Sequence, residues 1–424
     1  MTAEACDLLV THATVLTMDD AGTVIDDGAV AVRGRDIVAV GHTAEVAAAW
    51  RGAKVVDAMG GVVHPGFIDG HTHLGLHLMR GLLPEDPKAP AQPGPGPFAR
   101  WLNALTEEDE AAATELAALE MMLAGFTGVV EAGTALYPDA VAETMTAAGL
   151  RVSVADPMLW DHPGIEVMAS QIATAPCDAA RARADLGRQL HRNREGALAR
   201  GHVAVYGDGS ATVELMQEAS HLAAREGVPF HMHQSFSHAD AEADAARLGA
   251  PPLVAMARLG IIGPQAVFTH MNVLADAEAE AVADSGMAIV WHPGNAAFYG
   301  IQPRARLHVP ALHRRGTEIA LSADVAKAWS FGDLGRFAYI AAREWGDWLP
   351  STAILRMHTR GGRPGDGDVR QPRPPRPRPP GRRCRPARGR PAYVSRFRSG
   401  AAPCAPSRQP RRSHRRLRRQ GASG

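Results

Sequence analysis

Eight short apolar runs, each followed by a stretch that favours helix, fill the middle of this 424-residue chain and limit its fold more than any other feature. The runs are VVHPGFID from Val62, TGVVEAG from Thr127, RVSVADP from Arg151, HVAVYG from His202, VPFHMH from Val228, AVFTHM from Ala266, MAIVWHP from Met287 and TEIALSAD from Thr317. Ala/Glu/Arg-rich segments between them predict helices over 107–123, 140–148, 179–199, 212–225 and 276–285. Strand then helix, repeated through residues 62–357, is the sequence form of an α/β fold of the TIM-like (β/α)8 barrel type. A doubly wound open sheet competes with it. That alternative lacks a G-x-G-x-x-G turn, and it gives no reason for polar residues to end so many strands.

The flanking segments differ. Residues 1–61 alternate in short β-branched runs, DLLVTHATVLTM, GAVAVRG, DIVAVG and AKVVDA, and predict a small β-structure ahead of the main domain. The formal net charge of zero conceals a split: residues 361–424 hold 19 Arg and 2 Asp, a balance of +17, which leaves −17 on the rest. With twelve prolines and no apolar period, 358–424 is expected to be a disordered tail. The same Arg/Pro/Gly/Ala vocabulary arises when GC-rich coding sequence is read out of frame. Its arginines could meet phosphates, but no aromatic ladder accompanies them, so nucleic acid is not an expected partner. PEDPKAPAQPGPGP, residues 84–97, reads as a long loop beside the strand ends.

No basic leader precedes an apolar run and no eighteen apolar residues run together, so the expectation is a cytoplasmic protein without a membrane span. The four cysteines lie far apart without a C-x-x-C pair. Any metal must therefore be held by His and carboxylate.

HPGFIDGHTHLG, residues 64–75, places His71 and His73 two apart at a strand end, where side chains alternate and the two imidazoles share a face. Such a pair suits a divalent ion of the zinc type; the bland reading is a hydrogen-bonded pair. Recurrence favours the ion: His231 and His233 close the fifth run, His270 the sixth and Asp324 the eighth.

PGFIDGHTH, then HLMRGL, an H-x-H, a later strand-end His and a strand-end Asp together resemble the amidohydrolase superfamily, in its branch of cytosine, guanine and adenosine-type deaminases and triazine chlorohydrolases. The likeness runs from about residue 6 to residue 345. It implies a (β/α)8 barrel with a small β-sandwich, and one divalent metal, zinc first and iron second. By position it implies His71, His73, His233 and Asp324 as metal ligands, and Asp324 and His270 as catalytic groups. His270, Phe236, and His292 with Asn295 in WHPGN fall beside the substrate. Water on such an ion reaches a pKa of about 7. Asp324 would accept its proton, and His270 would polarise the carbonyl or imine under attack. The reaction expected is hydrolysis of a non-peptide C–N bond in a small amide, urea, carbamate or aminated heterocycle.

Two departures stand out. The deaminase pattern has Glu three residues after the strand-five metal His; HMHQSFSH has Phe236 there, and a phenyl ring carries no proton. The family also returns after the barrel to complete its sandwich, and no Gly-Lys-x-Ala-Asp stretch does so here, so the sandwich is expected to be incomplete. HVAVYGDG has no Lys for a two-metal site, while Asp208 and Glu131 end strands and are further candidates for substrate contact. The alternative function is a catalytically inactive barrel acting as a binding or assembly module. The sequence does not set the oligomeric state; the resemblance implies that a homodimer can form, since barrels of this family often pair.

Overall fold

The structure is a computed structural model that describes residues 3–82, 95–163, 171–207, 209–325 and 330–361. Asp208, most of the Pro/Gly-rich loop and the Arg/Pro tail from 362 lie outside them.

β1 (Glu4–Leu16), β2 (Val24–Arg33), β3 (Asp36–His42), helix α1 (Thr43–Ala49), β4 (Trp50–Asp57) and β5 (Val62–Val63) come first. The strands make one sheet in the order β3-β2-β1-β4, with β5 also on β1. Its period of two sorts the small and branched residues. Val10, Val15, Val30 and Val32 share one cluster, whereas Leu9, Ala29 and Ala31 pack with Val46 of α1 in another. β3 and β4 are the edges, and Val55 on β4 is exposed.

The eight central runs all form strands. β6 (Phe67–Thr72), β7 (Phe126–Glu131), β8 (Arg151–Val154) and β9 (Ala199–Gly201) make a parallel four-stranded sheet. β10 (Val203–Gly207), β11 (Phe230–Gln234), β12 (Ala266–His270), β13 (Ala288–Trp291) and β14 (Ile319–Leu321) make a parallel five-stranded one. The two sheets meet at two seams. Only His202 separates β9 from β10, and its N–H bonds the Val154 carbonyl at 3.0 Å. At the other seam Thr72 bridges Asp324 in parallel. β9 was not anticipated: it is too short to show a period.

The helices of this region are α2 (Pro97–Ala104), α3 (Glu107–Leu123), α4 (Pro138–Ala147), α5 (Ala179–Asp185), α6 (Val213–Glu226) and α7 (His238–Leu248). α8 (Pro252–Arg258), α9 (Asp276–Ser285), α10 (Pro293–Phe298), α11 (Val309–Arg314), α12 (Leu334–Glu344) and α13 (Ser351–Thr359) follow. α3 starts on a capping box in which Thr106 and Asp109 satisfy each other's backbone N–H groups. The helix expected over 179–199 stops at Asp185. Gly187 turns left-handed at φ +83°, and its N–H goes to the Asp156 carboxylate at 2.9 Å, which removes it from any helical ladder.

Phe230, Phe268, Ile289 and Leu321 anchor the largest core, between the five-stranded sheet and its helices. Phe67, Phe126, Val129 and Val152 anchor a second core under the other sheet. Strands buried on both faces leave their carboxyl ends as the places where polar side chains gather.

Candidate metal centre

β6 is buried along its whole length, and it delivers His71 near its end and His73 one residue beyond. Glycine at position 70 lets it lie against β14, since a Cβ there would sit 2.7 Å from that of Ala320. The Asp69 carboxylate then ties the two strands together, accepting the His71 N–H and the Ala323 N–H, each at 3.0 Å. Ser322 adds a second tie, its hydroxyl donating to the His71 carbonyl and accepting from the Asp324 N–H. Backbone bonds from Asp324 N to His71 O (3.1 Å) and from His73 N to Asp324 O (3.2 Å) complete the weave. β10 and β11 set Gly207 opposite His233, and β11 and β12 set Gln234 opposite His270.

The result is convergence. His71, His73 and His233 each offer a ring nitrogen, all within 4.8 Å of one another. The His73 Nε2 lies 3.2 Å from the His71 Nε2 and 3.4 Å from the His233 Nε2. The Asp324 Oδ1 approaches the same place, 2.9 Å from the His73 Nε2 and 3.4 Å from the His71 Nε2.

The opposite nitrogen of each ring is held. The His233 Nδ1 donates to the Tyr206 carbonyl at 2.7 Å, which fixes its tautomer because a carbonyl only accepts. The His73 Nδ1 lies 2.8 Å from the Thr134 hydroxyl, and the His71 Nδ1 lies 2.6 Å from the His231 Nε2. Burial lowers the pKa of His71 to about 4 and those of His233 and His270 well below the ordinary value. His71 and His233, kept neutral by burial, together with His73 and one carboxylate, fit a divalent cation of the zinc type.

The remaining predicted residues line up around this group. His270 stands 5.2 Å from His233 ring to ring, and its Nδ1 has no partner among the described residues. His292 is fully buried at 4.4 Å behind His270. The Asn295 amide donates to the Asp324 Oδ2 and so serves the carboxylate. The Phe236 ring lies 4.7 Å from His270 and 5.5 Å from Tyr299, in a half-buried aromatic wall. Ser235, His270, Met271 and Asp324 hold left-handed φ values of 53° to 79°, a costly conformation for non-glycine residues that gathers here at three strand ends.

His231 belongs to a lower layer, against His71 above and His202 below. Glu131 is buried, and its carboxylate accepts from the N–H groups of Gly133, Thr134 and Ala135 and from the Thr134 hydroxyl. It is a hydrogen-bonding support. Asp69 lies within PGFIDGHTH and Thr134 directly follows TGVVEAG, yet no local pattern assigns them partners 254 and 61 residues away.

Residues 62–362 match the amidohydrolase family. A 5-methylthioadenosine/S-adenosylhomocysteine deaminase of Syntrophobacter fumaroxidans is 30% identical over 378 residues, covering 85% of this chain and 80% of that protein. A 5'-deoxyadenosine deaminase of Methanococcoides burtonii is 27% identical over 68% of this chain and 62% of its own length. Among solved structures, an adenosine deaminase from Xanthomonas campestris with bound zinc superposes with a TM-score of 0.71 at 26% identity, over 85% of this chain and 80% of that one. An atrazine chlorohydrolase from Arthrobacter aurescens complexed with zinc gives 0.68 at 22% identity, over 84% and 82%, a likeness of fold. The expectation of a hydrolase for non-peptide C–N bonds in small molecules therefore stands, and this chain belongs to the amidohydrolase family.

Proposed function

We propose that the chain hydrolyses the exocyclic C–N bond of an aminated heterocycle related to the adenosine nucleosides, at a centre where His71, His73, His233 and Asp324 hold one divalent ion, zinc before iron. The meeting of three imidazoles and one carboxylate at a single point carries the reading. Such an ion, when bound, supplies Lewis-acid polarisation and makes water a nucleophile at neutral pH.

The chain's own residues would do the rest. Asp324, oriented through its Oδ2 by Asn295, takes the proton of the attacking water and returns it to the departing amine. His270, kept neutral by burial, donates a hydrogen bond to the ring atom on which charge develops. Phe236 and Tyr299 offer the flat substrate an aromatic face and keep water off it. With Phe236 unable to carry a proton, protonation of a ring nitrogen falls to Asp324 or His270.

The reading extends to the frame. Residues 62–357 form one closed (β/α)8 barrel, supported by the links at both seams. Residues 1–61 are part of a β-sandwich; α13 carries the barrel unit past the boundary expected at 357, because His358 packs on Phe67 and Phe126, and the Arg/Pro-rich residues from 362 lie outside the described ones. Among the described residues no helix is long and apolar enough to cross a membrane; the reading separately takes the protein to be cytoplasmic and able to pair as a homodimer.

The decisive measurement is ammonia release by the zinc-loaded protein from 5-methylthioadenosine, 5'-deoxyadenosine and a panel of ureas and carbamates. Turnover of an aminated heterocycle, with about one equivalent of metal, is expected. Turnover of ureas or carbamates alone overturns the substrate class, and a folded protein that takes up no metal overturns the hydrolase.

A further inference from the structure

The loop after β7 is built around a buried carboxylate that the proposed reaction leaves idle. Glu131 ends β7, and its two oxygens accept from three successive backbone N–H groups, those of Gly133 (2.8 Å), Thr134 (3.2 Å) and Ala135 (3.1 Å). The Thr134 hydroxyl lies 3.1 Å from the Glu131 Oε1 and 2.8 Å from the His73 Nδ1. All three groups are buried, so water does not compete for these bonds.

The proton positions follow from the donor inventory. Carboxylate oxygens that already receive backbone N–H groups act as acceptors, so the Thr134 hydroxyl must spend its one hydrogen on Glu131. Its lone pairs then face His73. The Nδ1 of His73 is left to donate, which makes its Nε2 a bare lone pair, and that is the nitrogen 2.9 Å from Asp324 and 3.2 Å from the His71 Nε2. In the reversed tautomer Nδ1 and the hydroxyl lone pair would face each other and the Nε2–H would donate to the Asp324 Oδ1 at 2.9 Å, closing the centre to a cation, so the link to Glu131 is what opposes that bond.

We propose that Thr134 and Glu131 are positioning residues: the Glu131–Thr134–His73 chain locks His73 in its Nδ1–H tautomer and turns the Nε2 lone pair toward the cation, resting on the reading that the three imidazoles take up one divalent ion. Among the described residues it is the support of His73, as the Tyr206 carbonyl is of His233. Outer partners of this kind are worth about 10- to 100-fold in metal affinity.

Thr134→Val removes the hydroxyl while the three N–H bonds to Glu131 stay, so the loop keeps its clamp; Thr134→Ser restores the hydroxyl. Zinc affinity is measured by competition with a colorimetric chelator, and the His73 tautomer in metal-free protein by long-range ¹H–¹⁵N correlation. Thr134→Val is expected to bind zinc about 10- to 100-fold more weakly and to lose the single Nδ1–H tautomer, with Thr134→Ser close to the parent in both. A Thr134→Val protein that keeps the tautomer and parental zinc affinity overturns the proposal. A parent that takes up no zinc, yet shows one His73 tautomer that Thr134→Val scrambles, would sink the metal reading and leave the relay standing.

Discussion

Both ends of β6 carry buried imidazoles, and their circumstances are opposite. At its start His64 bonds the Pro65 carbonyl at 2.6 Å, and Phe67 lies between the rings of His64 (4.9 Å) and His358 (4.5 Å). His358 on α13 also meets Phe126 edge-on at 5.3 Å, and its Nε2 has no partner among the described residues. At the far end His71 and His73 meet His233 and the carboxylate of Asp324, with the outer nitrogen of each ring engaged. Burial lowers the pKa of His358 and of His71 alike. Depth therefore does not make a ligand. A held outer nitrogen and a carboxylate at the same point are what separate the proposed metal centre from an aromatic core.

The largest break in that comparison comes from truncating one ring at each end. His73→Ala is expected to lose bound zinc and to cut turnover by about 10³-fold or more, whereas His358→Leu should keep zinc and turnover near the parent. Zinc content by mass spectrometry of the desalted proteins, beside ammonia release, checks both. Equal loss in the two variants would mean that the far end is no special place.

Asp324→Asn comes next. It keeps the size of the side chain but removes the proposed proton carrier, so turnover should fall about 10²- to 10⁴-fold while part of the zinc remains. Activity close to the parent would transfer the proton role elsewhere, with His270 the nearest candidate.

Phe236→Glu acts in the other direction. A carboxyl group beside His270 takes a proton from the attacking water and passes it to a ring nitrogen, so deamination of 5-methylthioadenosine should rise about tenfold or more. An unchanged rate would show that Phe236 does not limit the reaction.

The same contrast explains what could be read before the fold was known. The eight strands were legible because short apolar runs that end in polar residues recur on either side of helices, and His71 with His73 was legible because residues two apart on a strand share a face. That rule could not choose between His231 and His233, which also share a face. Depth along β11 decides, with His233 level with the centre and His231 one layer below it, against His71. The hold of Asp69 on Ala323 and of Thr134 on His73 join segments that only the folded chain brings together. The break at Gly187 depended on a carboxylate 31 residues earlier, which no local pattern reports.

The smallest expected effect sharpens the comparison by pH. Burial and the neighbouring His64 hold His358 down to about 3 in the folded chain, against an ordinary value of 6.5. A depressed pKa means the unfolded chain binds the proton more tightly, so this ring's contribution is complete above pH 6.5 and is lost as pH falls toward 3. By pH 5 the loss amounts to about 2 kcal/mol. Leucine at 358 carries no proton, so the stability gap between parent and His358→Leu should move in the variant's favour by about that amount between pH 7.5 and pH 5, as measured by urea unfolding of the metal-free proteins. The other buried histidines are common to both proteins and cancel in the difference. A gap that does not change with pH would mean that His358 finds a proton partner in the folded chain, and the start of β6 would then resemble its end more than the packing of Phe67 against two imidazoles allows.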